Sequence, residues 1–278
     1  MKLGIGSYTY GWATGAYGFS DPDAPRPRIP MDAMQLIDRA VELDVPVVQI
    51  CFRPALHELS STELDDIASY AAERGRELEI GTVGSDATHL RQYASIAVRL
   101  KASLVRTIFP GASVGLRQER SAIAEVAPFF ESNRIVLAVE NHEDYSCRDL
   151  ATMVQELESP FVAVCLDAVN SLGRGEGIRE VIEALLPLTR CVHVKDFASR
   201  RRPSGMGFEV VGAVPGQGGR LDIPGFLTQV ARLSEKTSVI LEQWTDFGDS
   251  LEQSMLIQER DARQAIDLLR SAIAGLPE

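Results

Sequence analysis

Eight short runs of aliphatic, mostly β-branched residues recur along the chain, and each is followed by a stretch with apolar residues at helical spacing. The runs are Leu3–Tyr8, Pro46–Cys51, Leu78–Val83, Leu104–Phe109, Ile135–Glu140, Phe161–Leu166, Cys191–Lys195 and Ser238–Trp244. Between them the spacing predicts helices over Met31–Asp44, from Ser60 to Gly75, over His89–Lys101 and Ser121–Phe130, from Ser146 to about Leu157, over Ile178–Leu188, from Asp222 onward, and over Leu251–Ala274. Strict strand–helix alternation implies parallel strands joined by helical crossovers. Eight units in 278 residues fit one α/β domain spanning 1–278, a (β/α)8 TIM barrel, for which about 250 residues is typical. An open doubly wound sheet is the alternative, but no glycine-rich phosphate turn follows the first run.

Local signals mark the element ends. Ser60 with Glu63, and Ser146 with Asp149, are N-cap patterns, and Gly75 suits the residue after a helix. Asp222 precedes a helix with Pro224 near its start, where proline is tolerated. The first run opens into a loop carrying Tyr8, Tyr10, Trp12, Tyr17 and Phe19, then Pro22, Pro25, Pro27 and Pro30, and the prolines forbid a helix there. Its aromatics either line a substrate pocket or cover one end of the barrel. The Arg-, Gly- and Pro-rich stretch from Ser199 to Leu221 reads as a long loop.

Four consecutive runs deliver a metal-binding residue near the C-terminal end: Glu140, Asp167, His193 and Glu242. In a parallel barrel those ends share one rim, so the four can converge there. Three carboxylates and an imidazole carry a formal charge of −3, which a divalent cation largely offsets. Without one, like-charge repulsion would raise the carboxylate pKa values. An oxygen-rich set with no thiolate favours manganese (Mn²⁺) or Mg²⁺, with Co²⁺ or Zn²⁺ possible, over a structural zinc. The plainer alternative is four ordinary polar residues at strand ends.

The net charge of −11 argues against nucleic acid and against an anionic membrane surface, since both need a basic face. No run approaches the roughly 18 apolar residues of a spanning helix, and no signal-peptide pattern opens the sequence. Cys51, Cys147, Cys165 and Cys191 are scattered, three of them in apolar runs, which reads as reduced core residues of a cytoplasmic protein.

The segments Val139-Glu-Asn-His-Glu143, Leu166-Asp-Ala-Val-Asn170, His193-Val-Lys-Asp196 and Leu241-Glu-Gln-Trp244 together resemble the xylose isomerase-like sugar isomerase/epimerase superfamily. Pro215-Gly-Gln-Gly-Gly-Arg-Leu-Asp222 is similar to a loop of that family, and the strand–helix order matches over nearly the whole chain. The resemblance implies that Glu140, Asp167, His193 and Glu242 ligate a divalent ion and that Glu140 and Glu242 act as acid and base. It implies a small carbohydrate or polyol substrate, isomerised or epimerised by proton transfer through an enediolate, and a possible homo-oligomer. Loss of hydroxide from the same intermediate would make the chain a dehydratase of the inosose or dehydroshikimate type instead. An endonuclease-IV-like enzyme would need more histidines than the four present, and intact Glu140 and Glu242 speak against a non-catalytic binding protein. Two positions depart from the family pattern: Asn170 stands where many epimerases have His, and Gln217 where many members have Glu.

Around this set, His142, Asn170, Asp196, Arg106 and Trp244 are candidates for substrate contact, against bracing or packing roles. Arg106, inside the fourth run, is too costly to bury unpaired, and Glu140 is the expected partner. Lys195 reads as a possible internal ion-pair partner. Arg200-Arg-Arg202 reads as an anion site or a solvated basic loop, and His57 and His89 fit no ligand pattern.

Overall fold

The computed structural model describes residues 1–17, 23–51, 55–109, 111, 114–232 and 237–276. The barrel strands are β1 (Lys2–Gly6), β2 (Val47–Ile50), β3 (Glu77–Val83), β4 (Leu104–Ile108), β5 (Val136–Glu140), β6 (Val162–Asp167), β7 (Thr189–Val194) and β10 (Ser238–Leu241). They close in the order β1-β10-β7-β6-β5-β4-β3-β2, every neighbouring pair parallel. The expected (β/α)8 barrel is therefore the fold. The crossovers are α2 (Ala33–Glu42), α3 (Ser61–Glu73), α4 (Ala87–Leu100), α5 (Leu116–Asn133), α6 (Cys147–Glu156), α7 (Ile178–Leu185) and α8 (Ile223–Ala231), and α9 (Leu251–Ala274) follows β10. A short helix α1 (Gly11–Thr14) follows β1. No described helix is long and apolar enough to cross a membrane.

The helices start where side chains satisfy the free backbone N–H groups of a first turn. Asp32 and Gln35 cap each other's backbone at α2, and Ser60 and Glu63 do the same at α3. Ser146, Asp222 and Ser250 accept from Asp149, Gly225 and Gln253 at α6, α8 and α9.

Alternation along the strands sorts the side chains into two cores. Val48, Val105, Leu137, Val139, Leu166, Val192 and Val239 belong to the large core with the helices. Val47, Leu104, Ala138, Cys165, Cys191 and Ile240 form a separate cluster inside the barrel. Gly4 makes room for it: a Cβ there would lie 2.6 Å from the Val47 carbonyl oxygen and 2.8 Å from Ile240 Cδ1. Two residues further along each of those strands comes a polar layer: Gln49, Arg106, Glu140, Asp167, His193 and Glu242, all buried. The register between β6 and β7 slips once, between Val164 and Cys165, and leaves Asp167 level with His193.

Several boundaries differ from the sequence expectation. β1 ends at Gly6, because Ser7–Tyr10 turns into a 3₁₀ segment and α1 follows; the loop's prolines lie after that helix. β10 ends at Leu241, one residue before Glu242. The stretch expected as a long loop holds an antiparallel hairpin, β8 (Asp196–Arg201) with β9 (Phe208–Ala213), from Asp196↔Ala213 to Arg201↔Phe208. Phe19, Pro22 and Pro110 lie outside the described residues.

Candidate active site

Glu140, Asp167, His193 and Glu242 come together at the C-terminal mouth of the barrel. Each offers one ligand atom, and those atoms all lie within 4.8 Å of one another. Glu140 and Asp167 are the last residues of β5 and β6, His193 is the penultimate residue of β7, and Glu242 directly follows β10. His193 Nδ1 is 3.1 Å from Glu242 Oε1 and 3.4 Å from Glu140 Oε1. Its other nitrogen, Nε2, is 2.9 Å from Gln49 Oε1.

Two cations are buried in the same layer. Arg106 pairs with Glu140 through Nε. Lys195 Nζ sits 2.7 Å from Asp167 Oδ2 and 3.0 Å from Glu242 Oε2. Burial alone would raise the Glu140 carboxyl, but the charges of Arg106, His193 and Lys195 together hold it well below the usual carboxylate range. Glu242, pushed up by burial, is likewise brought down by His193 and Lys195. Asp167 is raised, because burial outweighs Lys195. For His193 and Lys195 burial favours the neutral form, yet the surrounding carboxylates win and both are raised.

The donor set fits a divalent ion. It comprises three carboxylates and one imidazole, and the buried His193 Nδ1, which makes no hydrogen bond of regular geometry, faces Glu140 and Glu242. Oxygen-rich sets of this kind suit Mn²⁺ or Mg²⁺. A second trio close enough to share an ion, Cys165, Cys191 and His193, points into the barrel interior. Burial pushes the Cys165 thiol well up, which disfavours it as a thiolate ligand.

A cavity of about 790 Å³ opens over Glu140 and Glu242, and Asp167 and His193 are buried beside them. Arg106, Glu140, Asn170, Lys195, Glu242 and Trp244 line it, and Tyr8, Tyr17 and His142 also face it. Asn170 Nδ2 donates to Glu140 Oε1 at 2.8 Å and to the Asn141 carbonyl at 3.2 Å. The Lys195 ammonium lies 5.1 Å from the Trp244 ring centroid. His142, two residues past the end of β5, is half-buried at the wall with Nδ1 against Glu143. Of the other loop aromatics, Tyr10 is buried in the core, while Trp12 stacks edge-on with Tyr17 and Phe247.

Asp196 is placed differently. It is buried and is not among the described residues lining the cavity. Its Oδ1 accepts from the N–H groups of Phe197 at 2.8 Å and Leu221 at 3.0 Å, and its Oδ2 from Gly216 at 3.4 Å. The carboxylate thus clamps the Pro215–Asp222 loop, and Gly219 must lack a Cβ, which would fall 1.8 Å from Asp196 Oδ2. Gln217 bonds Gln264 on the exposed surface. Arg200 pairs with Glu209 and Arg201 stacks on Phe208 along the exposed hairpin. All four cysteines are free thiols.

Three side chains of the site escaped the sequence reading. Asn141 exchanges two hydrogen bonds with the Asp167 backbone, accepting from its N–H at 2.9 Å and donating to its carbonyl at 2.8 Å. Gln49 and Glu79 lie beneath His193, with Gln49 Nε2 donating to Glu79 Oε2 at 3.0 Å. Burial raises the Glu79 carboxyl to about 8. Their signal was present: a lone amide in Val47-Val48-Gln49-Ile50 and a lone acid in Leu78-Glu79-Ile80 interrupt strands buried on both faces.

The 3-oxo-isoapionate decarboxylase of Pectobacterium atrosepticum is 29% identical over 272 residues, covering 97% of this chain and 95% of that enzyme. Among solved structures, a D-psicose 3-epimerase with D-tagatose from Clostridium cellulolyticum H10 superposes with a TM-score of 0.72 at 15% identity, covering 98% of this chain and 99% of the other. A xylose isomerase-like TIM barrel protein of Mycobacterium smegmatis in complex with magnesium superposes with a TM-score of 0.69 at 15% identity, covering 98% and 97%. At such identities the superpositions speak to the fold. The family model for xylose isomerase-like TIM barrels matches residues 5–272, and the chain belongs to that family.

Proposed function

We propose that this chain is a divalent-metal-dependent isomerase or epimerase of a small ketose or polyol-derived ketone. One observation carries the reading: Glu140, Asp167, His193 and Glu242 can share one ion, and Glu140 and Glu242 of that set line a substrate-sized cavity. A divalent ion there would polarise a ketone and its neighbouring hydroxyl and stabilise the negative charge that develops as the intervening C–H bond loses its proton; Mn²⁺ fits the donor set best.

Glu140 and Glu242 reach the cavity from β5 and from the end of β10, with β6 and β7 between them. Lys195 and His193 keep Glu242 ionised, as a base must be to accept the substrate proton. Arg106 and Asn170 fix both oxygens of Glu140. Return of a proton to the neighbouring carbon gives isomerisation, and return to the opposite face gives epimerisation. His142, Asn170 and Trp244 are placed to contact substrate hydroxyls or carbon.

A second reading is decarboxylation of a 3-oxo sugar acid. It is favoured by the decarboxylase that aligns over 97% of this chain and by Arg106 and Lys195 at the cavity wall, which suit a carboxylate. In that reaction the bond to the carboxylate carbon breaks, its electron pair enters the ketone as an enediolate, CO₂ leaves, and the carbon is protonated.

The test is incubation of the Mn²⁺-supplied protein in D₂O with a panel of ketoses, inososes and 3-oxo sugar acids, read by NMR and mass spectrometry. Deuterium at the carbon beside the carbonyl with substrate composition unchanged supports the first reading, and CO₂ release supports the second. Either activity should fall about 10²–10⁴-fold in Glu242→Gln. Absence of exchange and of CO₂ across the panel contradicts both.

A further inference from the structure

The polar layer inside the barrel reaches below the cavity floor. Gln49 on β2 and Glu79 on β3 are buried, and neither lines the cavity. An amide and a carboxyl cost free energy in a barrel interior that aliphatic side chains would fill, so their bonds matter. Gln49 Oε1 lies 2.9 Å from His193 Nε2 and also receives the Cys51 Sγ–H at 3.1 Å. Gln49 Nε2 donates to Glu79 Oε2 at 3.0 Å and to Cys191 Sγ at 3.4 Å. The Gln49 amide thus turns its oxygen to His193 and its nitrogen to Glu79. A carbonyl oxygen only accepts, so His193 must carry its proton on Nε2.

We propose that Gln49, held in place by Glu79, is a positioning residue for His193. With Nε2–H committed to the Gln49 carbonyl, the neutral imidazole that ligates an ion carries its lone pair on Nδ1, the nitrogen facing Glu140 and Glu242. The inference rests on the reading of His193 as a metal ligand. Ionised or protonated, the Glu79 carboxyl keeps an oxygen that accepts from the Gln49 amide. Without Glu79 the amide can rotate and offer N–H to the imidazole, which selects the opposite tautomer and removes the Nδ1 lone pair.

The experiment is calorimetric titration of full-length protein with MnCl₂ for wild type, Gln49→Leu, Glu79→Leu and Glu79→Gln. Urea denaturation checks the fold of each variant, and ¹⁵N-histidine NMR of the Mg²⁺-loaded wild type reads the tautomer. Gln49→Leu is expected to weaken Mn²⁺ about 10–100-fold, the usual effect of losing the partner of a ligating histidine. Glu79→Leu is expected to weaken it as well, while Glu79→Gln restores it, because its amide oxygen accepts the same bond. The NMR spectrum should place the His193 proton on Nε2, a readout that does not depend on any variant folding. Wild-type affinity in Gln49→Leu, a Glu79→Gln variant as weak as Glu79→Leu, or a proton on Nδ1 would each overturn the inference and leave the metal reading standing. A wild type that takes up no Mn²⁺ overturns both.

Discussion

Arg106 and Glu79 are buried charges of opposite fate. The Arg106 guanidinium is matched by Glu140 inside β4 and β5, and removing one partner of a buried pair costs far more than the pair itself contributes. Arg106→Leu should therefore destabilise the ion-free protein by about 3–5 kcal/mol in urea denaturation with chelator present; a loss under about 1 kcal/mol would show that Asn170 and His193 suffice to hold Glu140. Glu79 makes no ion pair among the described residues, and although the His193 charge lowers it, burial raises its carboxyl from 4.5 to about 8. Between those two values the folded chain keeps the proton that the unfolded chain has lost. Stability from this group is thus full below pH 4.5 and declines as pH rises toward 8, with a slope of up to about 1.4 kcal/mol per pH unit. Glu79→Gln, which does not titrate, should gain stability relative to wild type across that window, and a constant difference between the two would contradict the assignment. At this scale the sequence was readable where chemistry is concentrated at strand ends, as for Glu140, Asp167, His193 and Glu242. It was unreadable where a side chain's partner comes from a distant strand: nothing in Val47–Ile50 announces that Gln49 meets His193.

Among the elements, the barrel strands and helices follow from periodicity, because each buries a face that only one pattern supplies. The β8–β9 hairpin does not. Its strands run from a buried base at Asp196 to an exposed tip at Arg201 and Phe208, so they carry no hydrophobic alternation, and what holds them is pairing with each other and packing against the segment after β10. Gly212 on β9 is the point of contact: a Cβ there would fall 1.7 Å from the Trp244 carbonyl oxygen. Val210 and Trp244 both line the cavity. Gly212→Ala should push the hairpin outward and lower kcat/KM by about 10–100-fold while leaving Mn²⁺ affinity unchanged. A parallel loss of Mn²⁺ affinity would show that the hairpin supports the ion site as well as the cavity wall. Asp196 shows the same limit of sequence reading. Its place beside His193 suggested substrate contact, whereas its carboxylate is occupied by backbone N–H groups of Phe197, Gly216 and Leu221.

At the scale of the whole molecule, closure of the sheet does the decisive work. It sets β5, β6, β7 and β10 side by side and turns four separate strand ends into one cluster above a packed apolar layer. Alternation of strands and helices made that arrangement legible without any knowledge of the loops. The two internal cations, Arg106 and Lys195, complicate the charge balance drawn from three carboxylates alone, since they offset part of it before any ion binds. The central claim is that the remaining lone pairs at this rim hold one divalent ion. Anomalous diffraction from crystals grown with MnCl₂ tests it most directly: the account predicts a single strong peak bounded by Glu140, Asp167, His193 and Glu242, with Lys195 displaced from at least one carboxylate. An empty rim with Lys195 still bridging Asp167 and Glu242, at saturating Mn²⁺, would contradict it.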